Sequence, residues 1–172
     1  MRREDLQGSY SEGEAHAIYL QVKASCDFIG FIRTFMHDTD YQVVRNALWA
    51  LTKATGQELM QLQPMADELI DLAMSTDNSS VRRLTLNVVE RLRMEKDEIR
   101  SDFLDFCLDH AVNVAEYPGI QSISIKLAYK MCSFYPELMG ELIRTLEGME
   151  IEYYKPAVKS IRSRILNGKY KA

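Results

Sequence analysis

The chain has 172 residues, 47% hydrophobic and 27% charged, with a formal net charge of −4 and a pI near 5.4. That length can bury most of its apolar surface in one domain without disulfides or metal. The acidic balance excludes a protein committed as a whole to nucleic acid or to an anionic membrane. Three cysteines, Cys26, Cys107 and Cys132, lie far apart among apolar residues, with no CxxC or other metal spacing. They read as buried, reduced thiols of a reducing compartment. The start, Met1-Arg2-Arg3-Glu4-Asp5-Leu6, lacks the apolar stretch of a signal peptide. No apolar run approaches the roughly 20 residues of a membrane span. The expected setting is cytoplasmic and soluble, with no cofactor, no metal and no membrane contact.

Residues up to about Tyr10 are polar and expected to be loose. A first helix is predicted from Ser11 to Lys23, with Ser11 as N-cap and Glu14 completing a capping box. A second runs from about Asp27 to His37 and buries Phe28, Ile29, Ile32, Phe35 and Met36. Asp40 to Thr55 follows, with Gly56 as its C-terminal stop. Pro64 to Ser75 then pairs with Val81 to Met94 across an Asp77-Asn78-Ser79-Ser80 turn. Glu98 to Val112 pairs with Gly119 to Tyr135. Pro136 to Met149 pairs with Lys155 to Asn167, and Gly168 ends the last helix. That makes roughly eight helices and no sheet. The linkers are short, so the whole of 1–172 is read as a single domain.

A period runs through these pairs. Val44-Arg45, Val81-Arg82, Ile120-Gln121 and Val158-Lys159 are separated by 37, 39 and 38 residues, the spacing of a helical-pair solenoid of about 40 residues per unit. The residues that follow share the register. Three positions on come Ala47, Leu84, Ile123 and Ile161; seven on come Leu51, Val88, Leu127 and Ile165. All are apolar, and the three positions lie on one face of a helix. Helical pairs stacked through a continuous core are expected.

An Asp in the turn followed by Val-Arg at the start of the second helix resembles the HEAT repeats of the HEAT/armadillo superfamily. Asp40 with Val44-Arg45 and Asp77 with Val81-Arg82 match closely. The third repeat departs, with Glu116 and Pro118 in the turn and Gln121 in place of the basic residue; the fourth has Glu152 and Lys159. The resemblance covers about residues 27–168. It implies an all-α, right-handed α-α superhelix of about four helical pairs, whose turn Asp and helix-start Arg form a ladder of charge-assisted bonds. Arg45 and Arg82 are then poor ligand contacts, and Asp77 is expected within reach of Arg82 or an equivalent base in the adjoining repeat.

Charge separates by helix type. First-position segments carry Glu58, Asp67, Glu68 and Asp71; then Asp97, Glu98, Asp102, Asp105 and Asp109; then Glu137, Glu141, Glu147 and Glu150. Second-position segments carry Arg45 and Lys53; Arg82, Arg83, Arg91, Arg93 and Lys96; Lys126 and Lys130; and Lys155, Lys159, Arg162, Arg164, Lys169 and Lys171. The resemblance implies that the second helices line a concave side, giving an acidic back and a basic inner face. Helical projection puts Asn46, Arg83, Ser122 and Ser160 opposite the core, with Lys53, Glu90 and Tyr129 beside them and Trp49 at the flank. Trp49, Lys53, Arg83, Lys126 and Tyr129 are the candidate partner contacts. The plain alternative is a solvated face, with Trp49 packing between repeats.

Catalytic and nucleotide-binding signatures (GxGxxG, P-loop, GxSxG, HExxH) are absent from the sequence. His37 and His110 fall near helix C-termini, where an imidazolium suits the dipole. Two readings remain. The leading one is a non-catalytic scaffold or adaptor that binds a protein partner, such as an acidic segment, on the basic inner face. The alternative is a nucleic-acid-binding protein resembling the HEAT-like alkylpurine DNA glycosylases. Tyr153 and Tyr154, beside Glu152 in a turn, do not make a base pocket. The amino-terminal helix, with Ala17, Ile18, Leu20 and Val22, is the more apolar end and the better place for self-association; Arg162 marks a wetter carboxyl end.

Overall fold

Short local signals start each helix, and the two halves of the chain use different ones. In the first half the side chains of Ser11, Asp27, Asp40 and Asn78 accept backbone N–H bonds from the opening turns they precede. In the second half Pro118, Pro136 and Pro156 stand at the first helical position, where a missing N–H costs nothing. The computed structural model describes residues 1–8 and 10–171. It is all-α: α1 (Glu12–Ser25), α2 (Phe28–Phe35), α3 (Tyr41–Leu51), α4 (Gln57–Leu62), α5 (Ala66–Ser75), α6 (Ser79–Arg91), α7 (Ser101–Val112), α8 (Pro118–Cys132), α9 (Pro136–Glu147) and α10 (Pro156–Leu166). Short 3-10 turns occupy Arg3–Leu6, Gln63–Met65, Lys96–Glu98 and Ile151–Tyr153, and no strand occurs among the described residues. No helix among them is long and apolar enough to cross a membrane.

Where one domain is expected, the chain divides after Arg93 into two compact units. In the first, α3 packs against α1, α2 and α6, and α5 packs on α6; in the second, α8 packs against α7, α9 and α10. The repeat register supplies both cores. Val44, Val81, Ile120 and Val158 are buried, as are Ala47, Leu84, Ile123, Ile161, Leu51, Val88, Leu127 and Ile165. Burying each larger member contributes about 1.5–3 kcal/mol, so the period is maintained by the core.

Several expectations are corrected. The segment before Tyr10, of which Ser9 lies outside the described residues, is not loose. Leu6 is fully buried, the 3-10 turn packs on α3, and the Arg3 guanidinium donates to both Asp38 oxygens at 2.8 and 2.9 Å. The helix predicted from Pro64 to Ser75 is present as α5, which begins at Ala66 just after a 3-10 turn that contains Pro64; the short α4 before it is unexpected. Gly56 does not stop α3, which ends at Leu51; it takes φ +48° at the N-cap of α4, a left-handed value suited to glycine. Cys107 and Cys132 are buried, but Cys26 is exposed, at φ +53° just after α1.

The expected ladder is replaced by a different recurring contact. Asp77 is exposed and makes no bond to Arg82. Arg82 reaches back over the end of α5, donating to the Ala73 carbonyl at 3.1 Å and to the Thr76 carbonyl. Gln121 donates to the Asn113 carbonyl at the end of α7, at 2.7 Å. Arg162 donates to the Leu146 and Glu147 carbonyls at the end of α9, at 2.5 and 3.3 Å. The last carbonyls of a helix have no partner within it and carry the negative end of its dipole. A donor on the second helix therefore clamps the end of the first. In the last pair this donor is Arg162, one turn beyond the Lys159 that the period indicates.

Glu58, counted from sequence among exposed acids, is 8% exposed and central to the first unit. Its carboxylate accepts from the Tyr19 hydroxyl at 3.0 and 2.9 Å, from Lys23 at 2.9 Å and from the Thr55 N–H at 2.7 Å. Desolvation opposes the charged form, but the Thr55 N–H, Lys23 and Tyr19 outweigh it and pull the Glu58 pKa down to about 2.

Two measurements follow from these contacts. Arg82→Ala should cost about 1–2 kcal/mol, since bonds from a charged donor are lost. Asp77→Ala should stay within about ±0.5 kcal/mol; equal losses in urea titrations would restore the Asp–Arg ladder. For Glu58, a folded pKa below the ordinary 4.5 means stability that is present above that value and lost as pH falls towards about 2. Glu58→Gln should be less stable at neutral pH by about 1–3 kcal/mol. The gap between the two melting curves should close as pH drops through that window, and a gap unchanged by pH would refute the network.

Candidate functional site

Four of the five candidate contacts stand on second-position helices and Lys53 lies just beyond the end of α3, but Trp49, Lys53 and Tyr129 are already engaged within the fold. In the first unit, Trp49 Nε1 donates to the Glu12 carboxylate at 3.2 Å, and Lys53 forms an ion pair with the same carboxylate. Glu12 opens α1, so that helix holds both residues. Asn46, projected opposite the core, is instead fully buried; its amide donates to the Leu6 carbonyl at 2.8 Å. Arg45 donates to the Gly8 carbonyl at 3.3 Å. The first-unit strip is therefore covered at α3 by the chain's own amino-terminal segment. Arg83, on α6, is exposed and without a partner among the described residues.

In the second unit the same positions form a different surface. Lys126 is half-buried on α8, and its side chain makes no hydrogen bond or ion pair among the described residues. Tyr129, one turn on, donates its hydroxyl to the Tyr170 carbonyl at 3.3 Å, and the two rings meet edge to face at 5.0 Å. Tyr170 gets there because α10 ends in a tight reversal. Gly168 has φ +66°, its N–H donates to the Ile165 carbonyl at 2.9 Å, and the Lys169 N–H to the Arg164 carbonyl at 2.8 Å. This is the double bond pattern of a Schellman cap. The Arg164 guanidinium lies 5.4 Å from the centre of the Tyr170 ring, a cation–π contact.

The reversal gathers charge. Lys126 and Arg164 occupy the same repeat position, each six residues after the register residue of its helix, Ile120 or Val158. α8 and α10 pack together, and Tyr170 brings Lys169 and Lys171 back towards α8. Neither α8 nor the stretch from Lys155 to Lys171 contains an Asp or Glu. On α7 and α9 the exposed charges are Asp102, Asp105, Asp109, Glu137, Glu141 and Glu147, with Arg144.

Other chemical groups are locked into structure. His110 Nδ1 lies 2.5 Å from the Glu116 carboxylate, so its partner is the turn acid rather than the helix end alone. Cys107 and Cys132 sit near one another in apolar surroundings, and burial raises both thiol pKa values, that of Cys132 to about 11. Thiolates, the reactive form, are therefore disfavoured. Among the described residues no group of three or more His, Cys, Asp or Glu could hold a metal ion. Tyr153 and Tyr154 border a cleft of about 230 Å³, but the Tyr154 hydroxyl donates to the Val112 carbonyl at 2.7 Å.

The sequence missed Glu12, Glu58 and the Tyr129–Tyr170 pin. Gly168 followed by an aromatic was a readable signal for the pin, and Thr55-x-x-Glu58 for the local half of the Glu58 network. Glu12 gave none, because its partners lie on another helix.

No curated protein and no solved structure matches the chain. The family model of the HEAT repeat domain matches residues 2–169. With the shared register buried in both units, the chain belongs to the HEAT repeat family.

Proposed function

We propose that the chain is a non-catalytic scaffold or adaptor that works in the cytoplasm and binds a protein partner through the outward face of its second-position helices. The observation that carries this reading is that each unit has, on a second-position helix, a cation whose side chain has no partner among the described residues: Arg83 on α6 and Lys126 on α8. The core takes one stripe of each second-position helix, and other cations are bonded to carboxylates or helix-end carbonyls: Arg3 to Asp38, Arg33 to Glu68, Arg100 to Asp102, Arg91 to Ala54. Cations left open on a repeat protein are available for recognition. A base-stacking role is less well supported, since the Trp49 ring nitrogen and the Tyr129 hydroxyl are both bonded within the fold.

The test is capture of a partner, followed by reconstitution with the purified partner, using wild type and Arg83→Glu/Lys126→Glu. The double reversal should weaken the complex while the melting temperature stays nearly unchanged, because substitutions away from the core change stability by about ±0.5 kcal/mol or less. Binding should also weaken as salt rises. Equal affinity of both proteins for the partner would refute the face. DNA binding in the micromolar range or tighter at physiological salt would promote the nucleic-acid reading.

A further inference from the structure

We propose that the surface formed by α8, α10 and the returning carboxyl-terminal segment is a docking site for an acidic protein segment. The inference rests on the scaffold reading and assigns the partner's chemistry and place. Four cations share this surface: Lys126 on α8, Arg164 on α10, and Lys169 and Lys171 beyond the Schellman reversal. Such a concentration in a chain of net charge −4 requires that acids be kept off these elements, and they are: α8 and the run from Lys155 to Lys171 contain none. The side chains of Lys126 and Lys169 make no hydrogen bond or ion pair among the described residues. Their charge is thus not neutralised locally.

The surface is also held in place. The Tyr129–Tyr170 contact ties the Lys-Tyr-Lys stretch beyond α10 to α8, so a ligand has less to order on binding. Here Gly168 turns the chain, Tyr170 is buried against Tyr129, and the Arg164 guanidinium lies within cation–π reach of the Tyr170 ring. The lysines on either side of Tyr170 are presented from a fixed point.

Two features favour carboxylates of a protein segment over nucleic acid. The Tyr170 ring is buried and contacted by Tyr129 and Arg164, which leaves it poorly placed for the base stacking that single strands use. The open cations are mostly lysines, compact point charges without the planar fork that arginine brings to phosphates. The exposed acids on α7 and α9 repel a polyanion from the remainder of the unit. An acidic segment is thereby steered to α8 and α10.

The probe is a fluorescent peptide rich in Asp and Glu, titrated by anisotropy at low and physiological salt beside duplex and single-stranded DNA of similar length. Wild type should bind the peptide more tightly than either DNA, with affinity falling as salt rises. Lys126→Glu/Lys169→Glu should weaken it by about tenfold or more, with an unchanged melting temperature. Asp77→Ala, in the first unit and outside either proposed surface, should leave peptide binding unchanged. Three results would overturn the inference: no peptide binding at low salt, equal binding by the double reversal, or tighter binding to DNA than to peptide. If the peptide fails while a captured partner is still lost on Arg83→Glu/Lys126→Glu, the docking assignment falls and the scaffold reading stands. If that partner binds both proteins equally, the scaffold face falls whatever the peptide does.

Discussion

The second-position helices of this chain all bury the same register of residues. Val44, Val81, Ile120 and Val158, with the residues three and seven positions later, are withdrawn from solvent in both units. This requirement sets the period, since each helix must return the same residues to its core after the same length of chain. Much of the rest follows from it. Burial extends beyond this register on α3 and α8, where Val43, Leu48, Ser124 and Ile125 are also withdrawn, so contacts unrelated to the core fall to the few residues left outside it.

The polar residue next to the register is the clearest case. A turn Asp followed by a helix-start Arg invites an ion pair, yet Arg82, Gln121 and Arg162 all donate to carbonyls at the end of the preceding helix. Carbonyls explain what an ion pair cannot: why a neutral glutamine can take the position in the third repeat. A carboxylate partner needs a cation, whereas a carbonyl needs only a donor. Asp40 and Asn78 turn their side chains to the opening N–H groups of the helices that follow them, so the turn residue and the helix-start residue serve opposite helix ends.

Fold was legible here because burial by period is a local, repeated signal that twelve positions state together. The networks were less legible because each joins residues distant in sequence by one-off geometry. Thr55-x-x-Glu58 announces a helix start, but nothing near it shows that Tyr19 and Lys23, more than thirty positions earlier, close around the same carboxylate. The amino-terminal segment looked loose because its only large apolar side chains are Met1 and Leu6; Leu6 is enough to seat it on α3. Asn46 looked outward for the same reason: helical projection places a residue relative to its own helix and cannot see a segment folding over it. Of the five candidate contacts, Arg83 and Lys126 stayed open, whereas Trp49, Lys53 and Tyr129 were taken up by parts of the chain that periodicity does not describe.

That division gives the charge pattern its physical meaning. Acids and bases on opposite helix types could serve solubility alone, and would then be expected to pair wherever the chain brings them close. In the first unit much of this happens: Glu12 takes Lys53, Glu58 takes Lys23, and Glu68 takes Arg33. In the second unit the bases of α8, α10 and the terminal reversal face no acid on their own elements, while exposed acids line α7 and α9. Keeping like charges together on packed helices opposes folding slightly, through self-repulsion. The contrast is partial, since Arg100 pairs with Asp102 in the second unit, but Lys126 and Lys169 have side chains without such a pair among the described residues, and it is on these that the proposed docking surface rests.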